Sequence, residues 1–280
     1  MKHTPDAIFQ GSQTVAFRST GTAGALGAQV IVPRVLSDRP PLVVLHGISR
    51  NADVLATLFR DQAERTGRAV IVPHFQETDW PHFQRPGPAA RPDLALLALF
   101  DAIAARLAAA AGPFDLFGHS GGAQLAHRFG MLYPQRVGAL HLAAAGWYCL
   151  PDDRMPYPYG VGSDAGGKAA LWARRKRAGL QSFLDRRIHL YVGSADTERD
   201  ETVRQTPDLD RIQGRTRRER AHCYAAALRS AALAAGLPDR VSLTELSGCS
   251  HDVVWAIQKA GLAHMVMSSA APAPAQAIAV

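Results

Sequence analysis

The 280-residue chain reads as an α/β protein built on a mostly parallel, doubly wound sheet. Three observations lead there. Short apolar runs alternate along the chain with stretches of helical period. The central runs, Pro41 to Leu45, Ala69 to Val72 and Phe114 to Phe117, are continuous rather than alternating, as in strands covered on both faces. A tight Gly-rich turn, Gly118-His119-Ser120-Gly121-Gly122, joins one of those runs directly to a helix-like stretch, Ala123 to Tyr133.

The elements follow in order. Residues 12–18 and 28–35 read as early antiparallel strands. Pro41 to Leu45 is a buried strand ending at His46-Gly47. Residues 52–66 place Val54, Leu55, Leu58, Phe59 and Ala63 at helical spacing, and Gly67 ends that helix. Ala69 to Val72 is the next strand, stopped by Pro73, and 74–90 is loop. Pro92 to Ala111 predicts a long apolar helix with proline in its first turn. Phe114 to Phe117 precedes the Gly-rich turn, and Pro134 stops the helix after it. Val137 to Ala144, Ile188 to Val192 and Val241 to Leu246 complete the strands, while 215–236 and 252–264 are the last helices.

Between 147 and 184 the rhythm breaks. Trp147-Tyr148-Cys149 leads into a Pro/Tyr/Gly stretch and then a basic helical segment. An insertion between strands overhangs the carboxyl ends of the sheet, so this one is expected to be a cap or lid over a covered pocket. Residues 1–267 form one domain with that insertion, and 268–280 a low-complexity tail.

Hydrophobic residues are 47% of the chain, enough for a substantial core. No apolar run approaches the roughly 20 residues that cross a bilayer. The first residues lack the apolar segment of a secretory signal, so a cytoplasmic location is expected. Cys149, Cys223 and Cys249 are too few for a disulfide framework and lack metal-ligand spacing; they read as buried free thiols. The formal charge of +7 comes largely from Arg174-Arg175-Lys176-Arg177 with Arg186-Arg187, and from Arg215, Arg217, Arg218 and Arg220. No nucleic-acid-binding motif accompanies them, so they read as solvated helix faces. Cations disfavour a helix start. The acids before the last cluster, Glu198, Asp200, Glu201, Asp208 and Asp210, are therefore expected to pair with it.

The Gly-rich turn fits G-x-S-x-G in a strand–turn–helix context, which projects a serine hydroxyl from the sheet edge. A serine is a weak nucleophile at neutral pH. It needs a base, and the base needs a group that holds its tautomer. The chain supplies both after later strands: Asp196 in Gly193-Ser194-Ala195-Asp196, and His251 in Gly248-Cys249-Ser250-His251. Asp200 is the nearest rival for the acid, with Asp152 and Asp153 less usual choices. All three candidates fall at carboxyl ends of strands, where open α/β sheets bind ligands.

With His46-Gly47, the turn, Asp196 and His251 in this order, the chain resembles the α/β-hydrolase superfamily of the serine esterase kind over about residues 28–265. The resemblance implies Ser120 as nucleophile, His251 as general base and acid, and Asp196 as orienting carboxylate. It also implies an oxyanion hole from the backbone amides of Gly121 and Ile48. The stretch Leu45 to Asp53 is similar to that of polyhydroxyalkanoate depolymerase and feruloyl esterase relatives. His46 then reads as a structural support of that loop, and His119 as turn support pointing away from the hydroxyl. Trp80, Trp147 and Tyr148 are expected to line a substrate pocket.

No metal and no cofactor are expected. The expected partner is a small-molecule ester, with no nucleic acid and no membrane span, and a homodimer is one arrangement compatible with the chain. The function read is hydrolysis of a carboxylic ester or thioester through an acyl-enzyme. Peptidase or carbon–carbon bond hydrolysis, and a non-catalytic binding protein of the same fold, stay open as alternatives.

Overall fold

The computed structural model describes residues 13–87, 90–107, 112–163 and 166–269. Most of the expected tail (270–280) and the end of the expected Pro92–Ala111 helix (108–111) lie outside the described residues.

Strands β1 (Gln13–Gly21) and β2 (Gly24–Val32) form an antiparallel hairpin. Both extend beyond the sequence reading at the turn, because Gly24-Ala25-Leu26-Gly27 is too poor in bulky side chains to show a strand pattern. β2 stops at Val32 rather than residue 35, where Pro33 has no N–H to give the ladder. Then come β3 (Leu42–Leu45), β4 (Val70–His74), β5 (Phe114–His119), β6 (Val137–Ala143), β7 (Arg187–Gly193) and β8 (Val241–Leu246). They make one eight-stranded sheet in the order β1-β2-β4-β3-β5-β6-β7-β8, parallel from β4 through β8.

Helices cover both faces, as the continuous apolar strands require. On one face α1 (Ala52–Thr66), α8 (Val253–Gln258) and α9 (Leu262–Ser268) pack over Leu42, Val44 and Phe117. On the other, α2 (Pro92–Ala104), α3 (Gly121–Leu132) and α7 (Arg217–Ala234) pack over Val43, Leu45 and Leu116. Successive side chains of β3 and β5 thus serve different cores, the period-2 geometry of a strand. The 252–264 stretch is two helices, because Gly261 adopts φ 72° between them. A short α6 (Pro207–Gln213) escaped the sequence reading.

The 147–184 segment contributes α4 (Gly167–Ala178) and α5 (Leu180–Leu184), which pack against α3 and α7. They form the crossover from β6 to β7. The arginines at the start of α7 do find acids: Arg217 pairs with Asp200 at 3.1 Å and Arg220 with Asp210 at 2.9 Å. Arg218 instead reaches Glu245 on β8 at 3.1 Å.

Candidate active site

Ser120 stands between β5 and α3 with φ 53° and ψ −112°, a conformation that costs an L-residue about 1–3 kcal/mol. The surroundings impose it. Ser120 N donates to Ala143 O of β6 at 2.8 Å, and Ser120 O accepts the first helical bond from Gln124 N at 3.1 Å. α3 then crosses β3 in contact: a Cβ on Gly122 would lie 2.1 Å from Leu45 O. Only glycine allows that approach, so the second glycine of the motif is a packing requirement.

Asp196 and His251 come from neighbouring loops that are tied together. A Cβ on Gly193, at the end of β7, would lie 2.0 Å from Cys249 O. Ala195 N donates to that same carbonyl at 3.0 Å, and Gly248 N donates to Ser194 Oγ at 2.9 Å. The result is a hydrogen bond from His251 Nδ1 to Asp196 Oδ2 of 2.9 Å, with Asp196 only 2% exposed. Asp252 holds the next helix by accepting from Trp255 N at 3.0 Å. Two of the rival acids, Asp200 and Asp152, have partners of their own. Asp200 binds Arg217 and Thr202, and the Arg217 guanidinium holds its carboxyl well below the usual carboxylate range. Asp152 pairs with Arg154. Cys249 is buried, which pushes its thiol up, away from nucleophilic use.

The loop after β3 faces the Ser120 turn. A Cβ on Gly121 would stand 3.4 Å from the Ile48 amide nitrogen, so the two backbone amides are neighbours. Neither takes part in the loop and turn backbone hydrogen bonds of the described residues. His46 braces this loop: Nδ1 donates to Gly47 O at 2.8 Å and Nε2 accepts from Phe75 N at 3.0 Å. That pair of bonds requires the neutral ring. Burial, first of all, pushes its pKa down to about 4. Arg50 is a support that sequence reasoning missed. At φ 58°, it bonds the carbonyl oxygens of Phe75, Trp80 and Pro81 and lies 4.8 Å over the Phe83 ring. No local pattern marks it.

Ser120 and His251 line one cleft of about 400 Å³, together with His119, Ile48, Thr202 and Val254. Trp80, Trp147 and Tyr148 do not line it, which corrects the sequence expectation. Trp80 is 4% exposed, packs edge-on against Phe75 and donates to Ala25 O at 3.3 Å. Trp147 lies under Arg128, 4.2 Å from its ring, with Arg204 at 5.3 Å. Tyr148 is fully buried, stacked 4.1 Å from Tyr224, with its backbone bonded both ways to Gln213. Aromatic rings in long loops serve here as loop anchors. No described residue of 147–184 lines the cleft either, so the expected cover is not formed by them; apolar walls come from Ile48, Val253 and Val254. His119, expected as turn support pointing away from the Ser120 hydroxyl, stacks on His251 with ring centroids 4.7 Å apart. Among the described residues no group of three His, Cys, Asp or Glu is placed to hold a metal ion, and no helix is long and apolar enough to cross a membrane.

No protein-family model and no curated protein sequence matches the chain. Solved structures do. It is similar to poly(aspartic acid) hydrolase-1 from Sphingomonas sp. KT-1, at 23% identity and TM-score 0.74, over 92% of this chain and 98% of that one. It is similar to LpqC, a poly(3-hydroxybutyrate) depolymerase from Bordetella parapertussis, at 25% identity and TM-score 0.71, over 91% and 95%. A ferulic acid esterase matches at 15% identity and TM-score 0.59, over 92% and 98%. Likeness of this extent, together with the eight-stranded order and the strand-end positions of Ser120, Asp196 and His251, makes this an α/β-hydrolase fold.

Proposed function

We propose that the protein is a serine hydrolase that cleaves a carboxylic ester or thioester through an acyl-enzyme. The observation that carries this reading is the 2.9 Å bond from His251 Nδ1 to the buried Asp196, on the cleft that also holds Ser120. With Nδ1 occupied, Nε2 is left for the serine proton. The names of the similar solved structures, hydrolases and esterases, point the same way.

The chemistry follows from these roles. Ser120 Oγ attacks the acyl carbon while its proton passes to His251 Nε2. The carbonyl oxygen becomes an oxyanion between the amides of Ile48 and Gly121, where loss of one donor typically costs roughly 2.7–4 kcal/mol of barrier. As the oxyanion collapses, the carbon–oxygen bond of an ester or the carbon–sulfur bond of a thioester breaks, and His251 gives the proton to the departing alcohol or thiol. Water then attacks the acyl-Ser120 as His251 takes one of its protons, and a second collapse breaks the bond to Ser120 Oγ, to which His251 returns that proton, releasing the acid and restoring the serine.

A fluorophosphonate probe tests the reading. Labelling of the wild type, together with loss of both labelling and p-nitrophenyl acetate turnover in Ser120→Ala, is the expected result. A folded wild type that does not label sinks it.

A further inference from the structure

Asp196 has a second partner besides His251. Arg217 Nη1 lies 3.3 Å from Asp196 Oδ1, and both side chains are about 1% exposed. Arg217 enters from the start of α7, an element none of whose residues lines the cleft. The same guanidinium forks onto Asp200, with Nη1 3.1 Å from Oδ2 and Nη2 3.1 Å from Oδ1, and also bonds Thr202 Oγ1. Thr202 is itself a wall of the cleft, and Asp200 accepts from its backbone and hydroxyl at 2.8 and 2.6 Å. One buried cation therefore joins the carboxylate behind the histidine to the loop that bounds the substrate space.

We infer that Arg217 is a positioning residue of this site: it fixes the orientation of Asp196, holds Thr202 in the cleft wall, and offsets the carboxylate charge that His251 faces. The inference rests on the serine-hydrolase reading above. Burial of this ion pair is weak evidence of a stabilising role, because the cost of desolvating two charges offsets much of their attraction. Its geometry fits another task. With Oδ2 bonded to the imidazole and Oδ1 to the guanidinium, the carboxylate cannot rotate without breaking one of two charge-assisted bonds.

The electrostatic consequence has a definite sign. A bare aspartate beside His251 favours the charged imidazole; a cation on the far side of that aspartate opposes it. The other groups facing the pair are His119 from the end of β5, Asp200 from the loop after β7, Cys249 and Asp252 from the loop after β8, and Tyr148. Burial, then the charges of His251 and Arg217, push His119 well below its ordinary value, so it adds no charge near neutrality. Arg217 is thus the one cation in this group.

The test is the pH dependence of the fluorophosphonate labelling rate, from pH 5 to 9, in the wild type, Arg217→Met, Arg217→Lys and Asp200→Asn, each checked for folding by thermal unfolding. In Arg217→Met the acid limb moves to higher pH by about half a unit or more, and the plateau rate falls. Arg217→Lys keeps the charge and leaves the limb in place. Asp200→Asn removes an anion from the far side of Arg217, so its limb moves to lower pH. A merely structural role lowers the rate at every pH without moving the limb. A folded Arg217→Met whose limb coincides with the wild type overturns the inference. Should that variant not fold, an Asp200→Asn limb that stays or rises overturns it. Labelled wild type with unmoved limbs rejects only the role of Arg217, whereas an unlabelled wild type rejects the hydrolase reading itself and the inference with it.

Discussion

The imidazole of His119 lies against that of His251, ring centroids 4.7 Å apart and planes 28° from parallel. His119 is the residue before Ser120, the proposed nucleophile, so the turn that strains Ser120 also supplies a flat wall for the proposed base, His251. His251 has one hydrogen bond holding its orientation, to Asp196, and the stacked ring limits rotation about that bond. His119→Ala is expected to lower kcat for p-nitrophenyl acetate by up to about 10²-fold, the cost of a small misplacement of a reacting group. His119→Phe keeps a flat ring and is expected to retain most of the activity.

Backbone strain at Ser120 gives a second prediction. Glycine accepts φ 53° without the penalty an L-residue meets. Ser120→Gly should abolish ester hydrolysis and raise unfolding stability by about 1 kcal/mol, read by urea denaturation, because relief of strain exceeds the added freedom of the unfolded chain. An inactive variant that is also less stable contradicts this account of the Gly-rich turn at Ser120, the elbow between β5 and α3.

Acid pH should loosen the loop that carries Ile48. His46 must be neutral to accept from Phe75 N, and its folded pKa of about 4 lies below the ordinary 6.5. A base whose folded pKa is depressed binds protons more readily unfolded. Its stabilising contribution is therefore complete above about pH 6.5 and is lost as pH falls toward 4. His127 and His141 are pushed the same way by burial. From pH 7 to pH 5 the loss from His46 alone is about 2 kcal/mol, measurable as a lower denaturation midpoint.

Pocket identity can be tested by contrast. Tyr148 is buried and its hydroxyl finds no hydrogen-bond partner of good geometry among the described residues. Tyr148→Phe should leave ester preference unchanged and stability equal or higher by up to about 1 kcal/mol. Val254 lines the cleft together with Ile48, which is 45% exposed. Val254→Phe should shift a graded series of p-nitrophenyl esters toward short acyl chains, by roughly tenfold or more per excluded methylene.

The parallel strands were legible because burial on both faces leaves unbroken apolar runs, and the elbow because its glycines mark a close approach. What failed had no local signature. Arg174-Arg175-Lys176-Arg177 reads as a solvated face, yet four consecutive residues span a full helical turn, so one must point inward. Lys176 does: its ammonium is buried 5.4 Å from the Tyr157 ring and 5.6 Å from the Trp172 ring, and burial lowers its pKa to about 8. Trp147 and Tyr148 look like pocket residues for the same reason that they make good anchors, being large, flat and in a loop.

The amino-acid sequence by itself determined the order of the strands and of the longer helices, the tight turn at Ser120, and the appearance of an aspartate and a histidine after the right strands. Those are local properties, written in period, glycine placement and spacing. Only the tertiary structure decided that Asp196 meets His251 across 55 residues, that Arg217 takes the other carboxylate oxygen, and that His119 stacks on His251. Such contacts depend on the register of β7 against β8 and on where α7 docks, and packing forces of that kind act between segments that carry no mark of each other.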